Sequence, residues 1–449
     1  MNTRTLSSEL WVFLQNILTK IDTYKKSGEM SFSSSVYIKT HVSQFSYNEG
    51  AMGFTSHNEY IPKTQWDWKD QLDFITKALS ANANSKSIIS QISKQYGVNE
   101  DQAEYWLRRL VDVIAGKEEG KPSDEKIVDY IAAFIADLEK TPVNWHLKMW
   151  VSGFWVKDST PIKVNEEIAI RQVVAKDMEG ERALEWFDSM PIIQGSAIIE
   201  ISKRFKDSME AYDYIETLLN ALRLFRLGSV IYVKYTMLVD SIINFGGAYS
   251  PSRNLTGIAY NYALLLTDKD DLLSIFDLIF SKNKTVKIFD SQPDVTNPIG
   301  IALKRYNSAL LKSDTDEERI ASVVSCLEAL YLKSQERAEL SHRLSQRVAM
   351  LLKQFDLKPK KVYDDLDRAY LIRSIYSHGS FVNPEEHKDI PELTHRVLEY
   401  ARLSLLAFIH FVNTVEKEKL INKLENAMLE ENALTALKEL MGNTCKHYK

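Results

Sequence analysis

Arg373 and His378 stand five positions apart in Tyr370-Leu371-Ile372-Arg373-Ser374-Ile375-Tyr376-Ser377-His378-Gly379, late in the chain. A guanidinium presents a rigid fork of donors to phosphate oxygens, which a lysine ammonium cannot copy. An imidazole shuttles protons efficiently near neutral pH. At a helix C-terminus it also feels the negative end of the dipole, which favours its cation. Leu371, Ile372 and Ile375 are interleaved among these polar groups. One side of the segment should therefore be buried, while Arg373 and His378 look out over an edge. Gly379 supplies the left-handed residue that ends many helices. Residues five apart on a regular helix point about 140° apart. A single helix therefore does not easily converge its own Arg373 and His378 on one phosphate, whereas two copies facing each other across a two-fold axis could.

The elements that must position this decapeptide read as helices from Asn297 onward. Residues 297–312 form the first. Asp314 or Thr315 caps the second, with Glu317 and Glu318 in its first turn, where acids offset exposed amides. Its stripe is Ile320, Val323, Val324, Leu327, Leu330 and Tyr331. A third runs from about Arg337 to Phe355 on Leu340, Leu344, Val348, Leu351 and Leu352. Lys358-Pro359-Lys360-Lys361 reads as a connection, and the fourth helix runs from Val362 to His378. Pro384 and Pro391 bound a loop. A fifth helix follows on Leu393, Val397, Ala401, Leu405, Phe408 and Val412, continuing or kinking into a sixth through Leu420, Leu424, Met428 and Leu437.

Arg-x4-His in this setting resembles the motif of the HEPN superfamily (higher eukaryotes and prokaryotes nucleotide-binding), in its Apea-like branch. The resemblance covers roughly residues 300–415, about a quarter of the chain. It includes Leu327-Glu328-Ala329-Leu330, Leu344-Ser345-Gln346-Arg347-Val348-Ala349 and the Tyr370, Arg373-Ser374, His378-Gly379 pattern. It implies a metal-independent endoribonuclease with no cofactor, acting on RNA. His378 would be general base or acid at the ribose 2′-hydroxyl or the leaving 5′-oxygen. Arg373 would hold the scissile phosphate, and attack by the 2′-hydroxyl would leave a cyclic phosphate. The family commonly builds a composite site from two chains, so a homodimer with the fourth helix near the axis is expected.

Ser374 and Tyr376 are candidates to hydrogen-bond substrate; many ribonuclease members carry Asn, Asp or His where Ser374 stands. Glu328 could pair with Arg373, orient His378, or cap or bridge helices. Arg347 could contact phosphate or sit in a structural salt bridge. Lys358, Lys360 and Lys361 could attract an RNA backbone or be solvated charge. The competing reading is a non-catalytic nucleotide- or RNA-binding module or a protein-interaction scaffold.

The remaining chain bounds these expectations. Its 449 residues exceed one ordinary core, and 45% hydrophobic with 26% charged residues is ordinary globular composition. A net charge of −5 gives no overall attraction for nucleic acid. No apolar run approaches the ~20 residues that span a bilayer, and the first residues do not read as a signal peptide. Cys326 and Cys445 are the only cysteines, so neither a disulfide scaffold nor a thiolate zinc site is expected, and a reducing cytoplasm is the default. His342, His387, His395, His410 and His447 show no metal spacing. Gly246-Gly247-Ala248-Tyr249-Ser250-Pro251 reads as a turn and lacks the phosphate-loop pattern.

Residues 6–28 read as a helix, Val36 to Thr40 as a strand, and Gly50 and Gly53 as a turn nearby. Trp66 and Trp68 could pack or stack on bases. Residues 87–115 form two amphipathic segments around Gly97, compatible with a helix-turn-helix whose second helix opens on acids. That start suits packing rather than a DNA groove. A further helix spans Ser123 to Lys140. Trp150 to Val156, Ile162–Val164, Ile168–Val174, Ile198–Ile201 and Val230–Val239 read as strands, with a helix at 208–226. The expected fold is α+β multidomain: residues 1–142 helical with a few strands, 143–295 mixed α/β, and 296–449 an all-α HEPN-like helical bundle. A phage or stress trigger acting on residues 1–295 is expected to control the ribonuclease, by analogy with prokaryotic antiviral or toxin-like effectors.

Overall fold

Apolar residues at three- and four-residue spacing decide most of the helices. In α1 (Thr3–Ser27) that stripe is Leu6, Leu10, Phe13, Leu14, Ile17, Leu18 and Ile21, all buried. The computed structural model describes residues 3–27, 36–48, 51–63, 68–118, 120–174, 177, 197–244, 246–249, 260–286, 297–379 and 388–442.

After α1 come the antiparallel strands β1 (Val36–Asn48) and β2 (Ala51–Lys63), in register from Val36 opposite Lys63 to Asn48 opposite Ala51. Gly53 lies inside β2, opposite Ser46, close to the reversal between Asn48 and Ala51 that the glycines pointed to; Gly50 lies outside the described residues. Helices α2 (Trp68–Ser80), α3 (Ala83–Tyr96), α4 (Glu100–Lys117) and α5 (Asp124–Leu138) complete this half. Gly97 ends α3 at φ 67, a left-handed conformation, and the Asn99 side chain accepts from the Gln102 N–H to cap α4. Ile88, Ile92, Leu107, Leu110 and Val111 of this pair enter the same core as α1. Glu100 and Asp101 point to solvent.

The second core begins with β3 (Val143–Ser152). Trp145, Leu147, Met149 and Val151 alternate inward, and Asn144 and His146 outward. The strand expected at Trp150 to Val156 is therefore the tail of β3 followed by a break. At Gly153 (φ 97) a Cβ would overlap the Ser229 backbone, so the chain turns there. Then follow β4 (Phe154–Val156), β5 (Ile162–Lys163), β6 (Ile168–Gln172), β7 (Ala197–Phe205), α6 (Ser208–Phe225), β8 (Ile231–Val239), β9 (Gly247–Tyr249), β10 (Tyr262–Leu264) and α7 (Lys269–Val286). The main sheet runs β5-β6-β7-β3-β8-β9, with every pair antiparallel; β4 and β10 pair in parallel apart from it. Residues 247–249, read as part of a turn, form an edge strand on β8.

Among the described residues, seven α-helices follow: α8 (Pro298–Leu311), α9 (Asp316–Tyr331), α10 (Leu340–Leu352), α11 (Pro359–Ser377), α12 (Ile390–Phe411), α13 (Lys417–Leu429) and α14 (Glu431–Met441). Thr315 is the cap of α9; its hydroxyl accepts from the Glu318 N–H at 3.2 Å. Two expectations need correction. Lys360 and Lys361 do not belong to a connection, because Pro359 takes the first helical position and draws both into the first turn of α11. The stretch after Phe411 does not continue α12 but forms two separate helices.

One apolar core runs without interruption from the sheet through α6 and α7 into α8–α14. Polar contacts cross the same boundary: the Ser229 hydroxyl donates to the Leu310 carbonyl at 2.9 Å, and Asn307 donates to the Asn220 side-chain oxygen at 2.7 Å. The fold is mixed α+β with a helical C-terminal region. No described helix is long and apolar enough to cross a membrane.

Candidate functional site

Helix α11 is held by Val362, Leu366, Ala369 and Ile372, which pack it onto α9, α10 and α12. That buried face fixes where every other residue of the helix points. Arg373 falls at its flank, with 32% of its side chain exposed, and its Nη2 donates to Glu328 Oε2 at 3.3 Å. Glu328 comes from α9, between the buried Leu327 and the half-buried Ala329. Of the roles the sequence left open for Glu328, pairing with Arg373 is observed, and the same contact bridges α9 to α11. The guanidinium also lies 5.5 Å from the centre of the Tyr370 ring, within cation–π range. Burial first, and then the Glu328 charge, push the Tyr370 phenol up.

His378 is the C-cap of α11, at φ −91 and ψ 3. Its N–H donates to the Ser374 carbonyl at 3.1 Å and the Ile375 carbonyl at 3.2 Å, and Gly379 follows at φ 68. The imidazole is exposed, and no hydrogen bond or ion pair joins it to another described side chain. It shares the outer face of α11 with Leu371, which is 56% exposed. Arg373 instead faces α9, as the 140° offset requires. Ser374 is half-buried and Tyr376 exposed. One chain thus offers the fork and the ring on different sides of one helix.

The other candidates lie elsewhere. Arg347 is buried, and it donates to the Tyr331 carbonyl at 2.7 Å and to Glu336 and Glu425. Hydrogen bonding from Arg347 is the largest cause holding the Glu336 carboxyl down at about 2. Of its two readings, the structural salt bridge is the one present, clamping α10 to α13 and to the turn at 333–336. Lys358, Lys360 and Lys361 sit at the opposite end of α11. Eighteen residues separate Lys360 from His378, roughly 27 Å along the axis at ~1.5 Å per residue. Lys360 pairs with Asp364 at 2.6 Å and Lys361 with Asp365 at 3.4 Å. These lysines do not share a phosphate with His378 of the same helix.

A feature the sequence reading missed adjoins Arg373. Where α10 begins beside the middle of α11, Arg337, Ser341, His342, Asp367 and Tyr370 line an open hollow of about 650 Å³. Asp367 and Tyr370, three apart, share a helix face, and that spacing was the available signal. The Ser341 hydroxyl donates to Asp367 at 2.9 Å, and His342 Nδ1 lies 2.8 Å from the Tyr363 hydroxyl.

Cys326 is buried, which pushes its thiol up. His410 is half-buried, and its imidazole is pushed down first by burial, then by the Lys282 charge. His395 packs 6.0 Å from the Tyr260 ring. Cys445, His387, His447, Pro384 and Trp66 lie outside the described residues, as does the Trp68 side chain. Among the described residues no group of three or more His, Cys, Asp or Glu could hold a metal ion. Comparison with family models, with curated proteins and with solved structures returns no match for this chain.

Proposed function

We propose that the chain is a HEPN-type endoribonuclease that cuts RNA without a metal ion. The observation that carries this reading is an exposed imidazole at the C-cap of α11 with no hydrogen bond or ion pair to another described side chain, one and a half turns after an arginine whose fork remains a third exposed. His378 takes the 2′-hydroxyl proton as the 2′-oxygen attacks the phosphorus. The bond to the 5′-oxygen breaks, and a proton from an imidazolium neutralises that leaving oxygen. Arg373 spreads the charge that builds on the phosphoryl oxygens. Because the two side chains leave opposite sides of α11, the working site pairs them across a homodimer, with the exposed Leu371 and His378 face of each copy near the axis. The N-terminal bundle and sheet act as the regulatory part, holding the ribonuclease inactive until a phage or stress signal arrives.

A second reading is favoured by one contact. The Glu328 carboxylate partly neutralises Arg373, which suits a module that binds RNA or a protein partner without cutting. Incubating purified protein with labelled RNA in EDTA, beside Arg373→Ala and His378→Ala, separates the two. Cleavage in chelator that both variants lose supports the enzyme. Binding without cleavage supports the module, and cutting at the parent rate by either variant removes the assignment.

A further inference from the structure

We propose that the hollow between α10 and α11 is a base-reading subsite that takes a guanine of a single-stranded RNA. The choice of RNA over another guanine-bearing ligand rests on the ribonuclease reading; the guanine itself is argued from the cavity. Its volume of about 650 Å³ falls within the range of small-molecule sites, roughly 300–1,000 Å³. Tyr370 connects it to Arg373: the ring that lines the hollow also carries the guanidinium at 5.5 Å. Tyr370 is thus the aromatic side chain of the lining on which an unpaired base would stack, as bases do in single-stranded RNA sites.

The polar groups then choose among bases. Asp367 is an acceptor-only carboxylate, oriented by the Ser341 hydroxyl at 2.9 Å and left with further lone pairs. Guanine alone presents two adjacent donors on its Watson–Crick edge, the ring N1–H and the exocyclic amino group, and so pairs with a carboxylate through both oxygens. Adenine and cytosine offer one donor from an amino group, and uracil one from a ring nitrogen. Arg337 stands on the same rim beside Glu339, whose carboxylate lies 3.7 Å from Arg343, and its Nη1 is held by the Ser334 carbonyl at 2.8 Å and the Glu336 carbonyl at 2.9 Å. A guanidinium fixed there suits the guanine O6 or the adjoining phosphate. Tyr370 lies eight residues before His378, roughly 12 Å along the axis. The base read in the hollow therefore belongs to a nucleotide near the scissile linkage, not to the linkage itself.

The test reads binding, so it does not depend on cleavage. Full-length His378→Ala protein in EDTA is titrated against fluorescein-labelled UUGUU, UUAUU and the inosine analogue UUIUU, with free GMP as a competitor. Expected is binding of UUGUU about tenfold or more tighter than UUAUU, with inosine, which lacks the amino group, in between. Asp367→Ala and the near-isosteric Asp367→Asn should each abolish the difference, and Tyr370→Leu should weaken all purine binding. Equal binding of the three oligonucleotides, or a guanine preference that survives both Asp367 variants, overturns the proposal. GMP binding with no guanine preference among the oligonucleotides assigns the hollow to a free nucleotide and overturns the RNA assignment. Guanine preference in a wild-type protein that cuts no RNA would sink the ribonuclease reading alone. Cleavage in chelator with no guanine preference would sink the subsite alone.

Discussion

Arg402 of α12 donates through Nη1 to the Leu224 carbonyl at 2.8 Å, a partner 178 positions earlier in the chain, and to the Phe225 carbonyl at 2.9 Å. The last turn of α6 has carbonyls with no partner inside the helix, and a fully enclosed guanidinium from another helix satisfies two of them. Glu399, one turn earlier on α12, balances the charge. Replacing Arg402 by Met keeps the bulk but leaves two buried carbonyls and a carboxylate unanswered. We expect a loss of about 3 kcal/mol in urea unfolding. A fragment of residues 296–449 should unfold or aggregate, because Tyr306 and Leu310 lose the sheet-side half of their core. An isolated fragment with a sharp, fully cooperative melt would contradict this.

Glu328→Gln keeps an acceptor beside Arg373 but removes its charge. The pair is part-exposed, so its strength is at most about 1 kcal/mol. If Arg373 meets phosphate, the variant should bind single-stranded RNA about threefold tighter at low salt, with the gain fading as salt rises. Adding Arg373→Ala should erase the gain. Filter binding at two ionic strengths measures both, and unchanged affinity in Glu328→Gln would argue that Arg373 does not touch RNA.

These contacts also show what local sequence could and could not reveal. The stripe Ile320, Val323, Val324, Leu327, Leu330 and Tyr331 is buried throughout, because the period of an apolar pattern is a property of the segment itself. The decapeptide likewise ends its helix at His378, where a glycine free to take positive φ follows. A structural salt bridge at Arg347 was one of the readings on offer, but its partner Glu425, 78 positions away, was not legible. Nor was β9, whose three residues gain strand structure only from a partner strand. The hollow needed the start of α10 to meet the middle of α11, a contact that spacing along either helix cannot give.

Asp112 of α4 offers a pH test of the N-terminal bundle. Burial pushes its carboxyl up to about 6, against the opposing charges of Arg109 and Arg108. A carboxyl raised in the folded state binds its proton more tightly there than in the unfolded chain. Its contribution to stability therefore falls as pH rises from about 4 to about 6, and the full penalty remains above that. Asp112→Asn removes the ionisation. The variant should exceed the parent by about 1 kcal/mol at pH 8, after allowance for partial exposure, and the gap should close below about pH 4. Thermal melts across that range measure it, and a gap independent of pH would show that ionisation of Asp112 is not the cause.

Asp137 ties the two cores together. Its Oδ2 accepts from the Ser241 hydroxyl at 2.9 Å, the Ile242 N–H at 2.7 Å and the Ile243 N–H at 3.2 Å, while the Ile242 side chain is buried in the N-terminal core. The carboxylate sits at the end of α5, so it pins the chain leaving β8 against the helical bundle. Asp137→Ala leaves two backbone donors without their acceptor, at about 2 kcal/mol. The loss should be local. Hydrogen exchange at 241–244 and along α5 should accelerate at least tenfold, while α9 to α12 keep their protection. If the chain is a ribonuclease as proposed and its N-terminal part restrains it through this junction, the same variant should also cut labelled RNA faster than the parent without any trigger. Faster exchange with unchanged cutting would place the restraint elsewhere, and uniform acceleration across α9 to α12 would show that Asp137 supports the whole fold rather than one seam.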